Sequence, residues 1–262
     1  TAYEIMPSLV GSEMCIRDRL TNHWWTGGGG KYVPRGLDDR STRGGPVVVR
    51  PAEGAVWWWL HSDSRKRLEV SPVMVFSRAE GNGWAWRYNL NVTLKPDKRT
   101  EITLGAGLTR AFDPQQWVDN IDTDEGEQTI FGELESRVLD ISLRVALALT
   151  PRLSFDLYAQ PFVAFGKYSL YKRLLKPYTS EFEPYPYEEE YGSADFAMRS
   201  LRANFVFRWE FLPSSVLYLV YSRDYGESGD FSDFDFSSGL KDALRGDGQD
   251  FFMAKITYLL AI

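Results

Sequence analysis

WAWRYNLNVTLK, residues 84–95, alternates large apolar and polar side chains without interruption. One row contains Trp84, Trp86, Tyr88, Leu90, Val92 and Leu94, and the other contains Ala85, Arg87, Asn89, Asn91, Thr93 and Lys95. Successive side chains of a β-strand point to opposite sides, so this period of two predicts a strand with an apolar and a polar surrounding.

The same alternation recurs in LDISLRVALAL, residues 139–149, and in LRANFVFRWEF, residues 201–211. In the second run Arg202, Asn204 and Arg208 share one side, where a packed protein core would make them costly. Strands of soluble proteins are usually about 5 or 6 residues long, whereas a tilted strand needs roughly 9 to 11 residues to cross a membrane. The pattern therefore predicts an all-β, antiparallel, up-and-down transmembrane β-barrel.

Nine long strands are predicted, at residues 54–61, 67–78, 84–95, 101–111, 129–149, 153–165, 196–211, 216–223 and 251–262. The run 129–149 is too long for one crossing, so we expect it to project beyond the membrane or to contain a bulge. A closed bacterial barrel normally has an even number of strands and no open edge. We therefore interpret residues 20–262 as the C-terminal part of a barrel whose earlier strands are missing, with 20–26 ending a missing strand and Gly27 to Gly30 in an outer loop.

The connections between the predicted strands differ in length in a regular way. Outer-membrane barrels have short periplasmic turns and longer outer loops. With the C-terminus in the periplasm, the connections 62–66, 96–100, 150–152 and 212–215 are short and periplasmic. The connections 112–128, 166–195 and 224–250 are long and outside, and 79–83 is the one short outer connection.

Composition excludes several other classes of protein. The chain has 262 residues, enough for one large β domain, and a net charge of -6 with 30 scattered Lys and Arg residues. Such scattering lacks the basic stripe that tracks a phosphate backbone, so nucleic acid is not an expected partner. No apolar run reaches 18 residues, which excludes a transmembrane helix, and Cys15 is the single cysteine. A disulfide within the chain is therefore excluded.

The N-terminal residues differ in character from the rest. The stretch MPSLVGSEMCIRDR, starting at Met6, resembles translated sequencing-adapter read-through at the end of a metagenomic reading frame. We interpret residues 1–19 as a non-native leader or sequencing artefact, with a disordered natural leader as the alternative. The stretch lacks the basic start and long apolar segment of a signal peptide.

Several passages resemble an uncharacterised bacterial outer-membrane β-barrel family, domain of unknown function 5916. They are LDDRSTRGGPVVVRPA from Leu37, LTPRLSFDLYAQPFVAFGKY from Leu149, FAMRSLRANFVFRWEFLPSSVLYLVYSRD from Phe196 and FFMAKITYLL from Phe251. The resemblance implies a Gram-negative outer-membrane barrel that follows a carbohydrate-binding-like domain of the same protein. Ile262 departs from the terminal aromatic residue that is common in the assembly signals of such barrels.

Residues that could carry chemistry are few. His23 and His61 lack partners at the spacing of a zinc or catalytic site, and we expect His61 to have an interfacial structural role. Glu188 to Glu190 and the acidic passage 229–250 could hold Ca²⁺, although neither has the EF-hand spacing. We favour solvated acidic outer loops, and predict no enzymatic activity, no metal and no cofactor.

The polar rows of the strands have the clearest functional meaning. In a barrel they face the lumen, where they bound an aqueous path or hydrogen-bond to one another. The predicted lumen-facing residues are Arg87, Asn89, Asn91, Arg144, Asp156, Gln160, Arg202, Asn204, Arg208 and Lys255. Their mixed charges argue against a strong ion preference.

Two functional hypotheses follow from the residues. The first is an outer-membrane barrel that serves as a passage or as an anchor for the upstream domain, with membrane lipid and the barrel-assembly machinery as partners. The second is a soluble all-β carbohydrate-binding or carbohydrate-active domain with Trp and Tyr as sugar platforms. The second hypothesis requires another protein layer over the apolar rows.

Overall fold

Antiparallel strands make up most of the chain, in a computed structural model that describes residues 12–124, 126–229 and 236–259. The strands are β1 Ser12–Arg19, β2 Trp25–Val33, β3 Gly36–Asp38, β4 Val48–Arg50, β5 Glu53–His61, β6 Leu68–Ala79, β7 Trp84–Asp97, β8 Thr100–Thr123, β9 Gly126–Thr150, β10 Leu153–Leu174, β11 Phe182–Pro184, β12 Phe196–Leu212, β13 Ser215–Gly229 and β14 Gln249–Thr257. Two helices, α1 Tyr187–Tyr191 and α2 Phe236–Arg245, lie in connections between strands.

Eleven of these strands form one continuous meander. Its order is β1-β2-β5-β6-β7-β8-β9-β10-β12-β13-β14, with β11 paired to the upper part of β10 and with β3 and β4 forming a separate pair. Every neighbouring pair is antiparallel. The predicted all-β antiparallel up-and-down order is confirmed. Within the described residues β1 and β14 are the two edges of an open sheet.

All nine predicted strands are present; the last, predicted at 251–262, is β14, which ends at Thr257, and residues 260–262 lie outside the described residues. The start of the chain differs from the prediction. Residues 20–24 form the turn between β1 and β2 rather than the end of a missing strand. Gly27 to Gly30 lie inside β2, so their assignment to an outer loop is wrong. The physical reason is close packing: a Cβ on Gly27 would lie 2.5 Å from the ring of Trp59 on β5.

The predicted loop at 112–128 is also wrong, because β8 and β9 continue through it as one long hairpin. Two irregularities in the β8 register, between Asp113 and Gln116 and between Trp117 and Asp119, absorb extra residues. Pro114 has no backbone N–H and is tolerated at such a bulge. The turn-like sequence therefore bends the strand without ending it.

The connections alternate between the two ends of the sheet. Those at 20–24, 62–67, 98–99, 151–152 and 213–214 are short and share one end, since the strands are antiparallel. The opposite end contains the long connections at 34–52 and 175–195 and the one between β13 and β14, together with two short ones, at 80–83 and between β8 and β9. Of the long ones, those at 175–195 and between β13 and β14 were predicted as longer loops, but the predicted loops contain the extended end of β10, β11, α1, the extended end of β13 and α2.

Buried apolar side chains concentrate at the end with the long connections. Ile121, Ile130, Tyr171 and Tyr187 form a cluster there, with α1 packed against the extensions of β8, β9 and β10. Neither helix of the described part is long and apolar enough to span a membrane.

Candidate functional site: an apolar belt and a polar wall

One side of the sheet is apolar from β5 to β14, and its large side chains are not covered. Strand register brings the apolar rows of neighbouring strands together, for example Leu90 beside Pro72 and Ala106. Trp86 is 43% exposed and Leu104 is 47% exposed, whereas core residues of a soluble sheet are buried. We call this surface the apolar belt; it includes Val56, Trp58, Val70, Met74, Phe76, Trp86, Tyr88, Leu90, Val92, Leu104, Leu108, Leu139, Leu143, Phe155, Phe205, Trp209, Leu219 and Ile256.

Charged residues mark the upper margin of the belt, toward the end with the long connections. Arg110 and Arg137 follow the last apolar residues of β8 and β9, and both guanidinium groups lie 2.9 Å from Glu135 Oε1. Arg78 ends the row on β6, and Arg199 ends it on β12. Following the paired residues from strand to strand, Arg199 on β12 is in register with Met74 on β6. Met74 is four residues nearer the short turns than Arg78, so the upper margin is four residues lower on β12 than on β6.

At β12, aromatic residues mark the lower margin of the belt, toward the short turns. Phe211 stacks near Trp209 and Tyr258, with ring centroids 5.9 Å and 6.4 Å away. Leu68 ends the row on β6 and is level in register with Phe205, so the margin at Phe211 lies six residues lower on β12.

Both margins thus cross the hydrogen-bonded rows obliquely and in the same direction. Over the five steps from β6 to β12 they shift by four and six residues, about one residue per strand. With about 3.3 Å per residue and about 4.8 Å between strands, such a shift corresponds to an inclination of about 35° between the strands and the normal of the belt.

Helix α2 covers one corner of this surface. It contacts β10 and β12, and Arg199 donates a hydrogen bond of 2.6 Å from one guanidinium nitrogen to the carboxylate of Asp242. Beneath it Val163, Phe165 and Ala197 are fully buried or nearly so. These residues lie at or above the charged margin, so the central belt stays uncovered.

The opposite side of the sheet is polar, and all ten predicted lumen-facing residues lie on it. Register aligns Arg144 with Tyr158 and Asn204, and Arg208 with Tyr218 and Lys255. We call this side the polar wall; its predicted members are Arg87, Asn89, Asn91, Arg144, Asp156, Gln160, Arg202, Asn204, Arg208 and Lys255.

Side chains of the polar wall interact mainly with each other. The Arg144 guanidinium carbon lies 5.0 Å from the centroid of the Tyr158 ring, and the Tyr158 hydroxyl donates a hydrogen bond of 2.7 Å to Gln160 Oε1. Arg87 Nε donates to Thr109 Oγ1 at 3.4 Å. Arg144, Tyr158 and Gln160 are thus linked to one another, Arg87 has a separate partner on β8, and Lys255 lies on the edge strand.

Two glycines on β8 leave room within the polar wall. A Cβ on Gly107 would lie 2.2 Å from an oxygen of Asp140 and 2.8 Å from Asn89 Oδ1, and one on Gly105 would meet Ser142 and Asn91 at 2.5 Å and 2.8 Å. Neighbouring polar side chains thus lean over both glycines. A separate recess of about 500 Å³ lies on the same strands, with Glu101, Arg144, Asp156, Tyr158 and Asn204 among its lining residues.

The other candidate residues have structural surroundings. His61 Nδ1 is 2.8 Å from Ser71 Oγ, and its ring lies 5.3 Å from that of Trp59, as expected for a structural role. Glu188 to Glu190 lie in α1. Among the described residues no three His, Cys, Asp or Glu side chains are grouped as metal ligands would be.

Tyr187, whose pKa is shifted, lies in the cap formed by α1 and the extensions of β8, β9 and β10. Burial and the nearby carboxylate of Asp119 raise the pKa of Tyr187 to about 12, and the Tyr187 hydroxyl lies 3.3 Å from Asp119 Oδ2. This tyrosine is neutral at physiological pH and helps to hold α1 against β8.

Sequence reasoning missed the margins of the belt, although a signal for them exists. Arg78, Arg110, Arg137 and Arg199 each interrupt an apolar row at its upper end. Only the register shows that these interruptions form one line across the sheet.

Comparison with known proteins gives a family but no activity. Residues 16–262 match the model of a family described as Domain of unknown function (DUF5916). No curated protein matches the chain. A solved structure described as "NanC porin structure in rhombohedral crystal form" is 10% identical and aligns over 81% of this chain and 80% of that chain, with a TM-score of 0.28.

Proposed function

Because the chain belongs to the DUF5916 family, a family without a defined activity, we propose its function from its two surfaces: it forms part of a β-barrel in the bacterial outer membrane. The apolar belt contacts lipid and the polar wall faces the barrel interior. The barrel serves as a passage or as an anchor, and involves no bond-making chemistry.

The height of the belt is the observation that carries this proposal. The apolar row of β9 from Leu139 to Leu149 spans ten residue steps, or about 33 Å along the strand at about 3.3 Å per residue. At an inclination of about 35° its vertical extent is about 27 Å. Outer-membrane barrels have strands tilted by about 35–45° and an apolar band about 25 Å tall between aromatic girdles.

A soluble sheet would have another layer over such a surface. Within the described ranges α2 covers only the corner at Arg199, and side chains such as Met74, Leu104 and Leu219 remain over 40% exposed. Exposed apolar patches on soluble monomers are usually no larger than about 300–600 Å². Lipid is the partner that removes this whole belt from water.

The two ends of the sheet suggest an orientation. All connections at one end are short, whereas the other end has three long, structured connections beside two short ones; periplasmic turns are short and outer loops longer in such barrels. β14 runs toward the short-turn end, so the C-terminus lies in the periplasm in this proposal. Insertion would require the barrel-assembly machinery.

The polar wall then lines the interior. Its cationic and anionic groups are interspersed, as Arg144 and Asp156 are on adjacent strands, and such a wall has little preference for the sign of an ion. An upstream carbohydrate-binding-like domain of the same protein, expected from the family resemblance, would be the unit that an anchor holds. We propose no nucleic-acid partner.

Cell fractionation tests the membrane proposal directly. The chain, expressed with a signal peptide, should appear in the outer-membrane fraction and should migrate faster in an unheated than in a heated detergent gel, since folded barrels resist the detergent. Recovery from the soluble fraction with gel mobility that heating does not change would refute it. Binding of that soluble species to a glycan array would support the carbohydrate-binding alternative.

Conductance across planar bilayers separates a passage from an anchor. A passage should give stable current steps, and Gly107→Arg, whose side chain must displace those of Asp140 and Asn89 toward the interior, should lower them. The control is Gly54→Arg, at a position where a Cβ meets no neighbour. Inserted protein without current would favour the anchor.

A further inference from the structure

The connection between β2 and β5 encloses a cavity that no part of the proposed function uses. The cavity has a volume of about 550 Å³ and lies at the end with the long connections, between residues 38–53 and the upper parts of β6, β7, β8 and β9. Ligand sites usually have volumes of about 300–1,000 Å³. The cavity is therefore large enough for a small organic molecule.

Hydrogen bonds from two other elements hold this connection in place. Asn120 Nδ2 on β8 donates to the carbonyl oxygen of Thr42 at 2.8 Å, and Thr42 is completely buried. The backbone N–H of Tyr178 donates to Val47 O at 2.7 Å, and the N–H of Val49 donates to Thr179 O at 3.2 Å. The wall of the cavity is thus fixed by contacts to β8 and to the β10–β11 connection.

This connection places three guanidinium groups on the cavity. Arg40, Arg43 and Arg50 all line it. Arg50 Nε is buried without a hydrogen-bond partner, and none of the three is in an ion pair within the described ranges of the chain. Guanidinium groups bind carboxylate and phosphate oxygens in a planar, two-pronged geometry.

Carboxylates also lie on the cavity, but two of the three have backbone partners. Asp38 Oδ1 accepts hydrogen bonds from the N–H groups of Arg40 and Ser41 at 2.8 Å and 3.1 Å. Asp113 Oδ1 accepts one from the N–H of Gln115 at 2.8 Å. Glu53 is the third lining carboxylate.

Aromatic residues also line the cavity. Trp84, Phe112, Trp117, Phe131 and Phe182 line it. The Arg43 guanidinium carbon lies 4.7 Å from the centroid of the Trp117 ring, so one cation and one flat apolar surface are already adjacent. Stacked rings with nearby cations suit a ligand that has both an apolar body and a negative charge.

We propose that this cavity binds a small organic anion, with a carboxylate or phosphate group held by Arg50 and Arg43 and a ring or apolar body held against Trp117. The site is independent of whether the apolar belt contacts lipid. It lies at the rim of the polar wall, next to Ser77, Ala85 and Ala111. A bound ligand would therefore lie at the entrance to the interior.

Fluorine NMR of the folded full chain in detergent tests the site. The probes are fluorobenzoate, fluorophenyl phosphate and the neutral fluorobenzyl alcohol, with inorganic phosphate as a competitor. We expect at least one of the anionic probes to bind about tenfold or more tightly than the alcohol, since charge-assisted hydrogen bonds are stronger than neutral ones. The stronger of the two anions identifies the preferred acid group, and competition by inorganic phosphate alone would show that the ring adds little.

Two variants tie the binding to the cavity. Arg50→Met should weaken binding of the preferred anion about tenfold, whereas Arg87→Met on the polar wall should leave it unchanged. Arg43 is exposed, so Arg43→Met provides the same test if Arg50→Met fails to fold. Equal binding of all three probes, no binding of any, or equal effects of the cavity and polar-wall variants would overturn the proposal.

Discussion

A charge placed in the middle of the apolar belt distinguishes lipid from water as its surrounding. Leu104 lies on β8 between Val92 and Leu143, six residues from Arg110 and four from Thr100. It is therefore about 20 Å and about 13 Å along the strand from the two margins, at about 3.3 Å per residue. In water Leu104→Arg would cost about 1 kcal/mol, since the side chain is 47% exposed and only about half of its burial is lost.

In lipid the same substitution costs more, because a cation near the bilayer midplane destabilises a barrel by about 2–4 kcal/mol. We therefore expect Leu104→Arg to lower the free energy of unfolding by about 3 kcal/mol. The matched control is Thr103→Arg, at the adjacent residue, whose side chain lies on the polar wall. It removes the 3.0 Å hydroxyl contact to Thr93, and we expect it to lower the free energy of unfolding by about 1 kcal/mol. The difference of about 2 kcal/mol is roughly a thirtyfold change in the folding equilibrium.

Urea unfolding in phosphatidylcholine vesicles, followed by tryptophan fluorescence and by gel mobility, measures both costs. Equal losses of stability for the two variants would refute the lipid contact, since they would place both residues in similar surroundings. A larger loss for Thr103→Arg would reverse the assignment of the two sides.

Three further predictions concern other parts of the chain. Gly27→Ala should destabilise the fold by about 1–3 kcal/mol, because the new Cβ meets the Trp59 ring at 2.5 Å, whereas Gly54→Ala, with no neighbour, should not; urea unfolding compares them. Asp242→Asn should loosen α2 from Arg199 and increase amide hydrogen exchange in residues 236–245, and unchanged exchange would contradict this. The pKa of Tyr187 is raised from 10.0 to about 12, so its contribution is fully present below pH 10 and is lost as the pH rises through 12; ultraviolet difference absorbance should show this titration, and Tyr187→Phe should remove it.

Much of the fold could be predicted because alternation is a local property. Each of the nine predicted strands appears, since apolar and polar rows two residues apart favour a strand wherever it pairs. The ten polar-wall residues lie on one side for the same reason. β2 was missed because Gly27 to Gly30 have no side chains and so no alternation to detect, and β1 was missed because residues 1–19 were interpreted as a non-native leader.

Contacts between distant residues determined the rest. The β8–β9 extension was predicted as a loop because Pro114 and several Asp residues resemble a turn, and only the pairing of both strands shows that bulges absorb them. The cavity beside Arg50 has no sequence signal, since its walls come from the β2–β5 connection, from β6 to β9 and from β11.

The sequence by itself determined that long antiparallel strands have one apolar and one polar side, and that their connections differ in length between the two ends. These features depend on residue type and a period of two. The tertiary structure alone decided the inclination of the belt, the corner covered by α2 and the cavity lined by arginines, because register and packing join residues that are far apart in the chain.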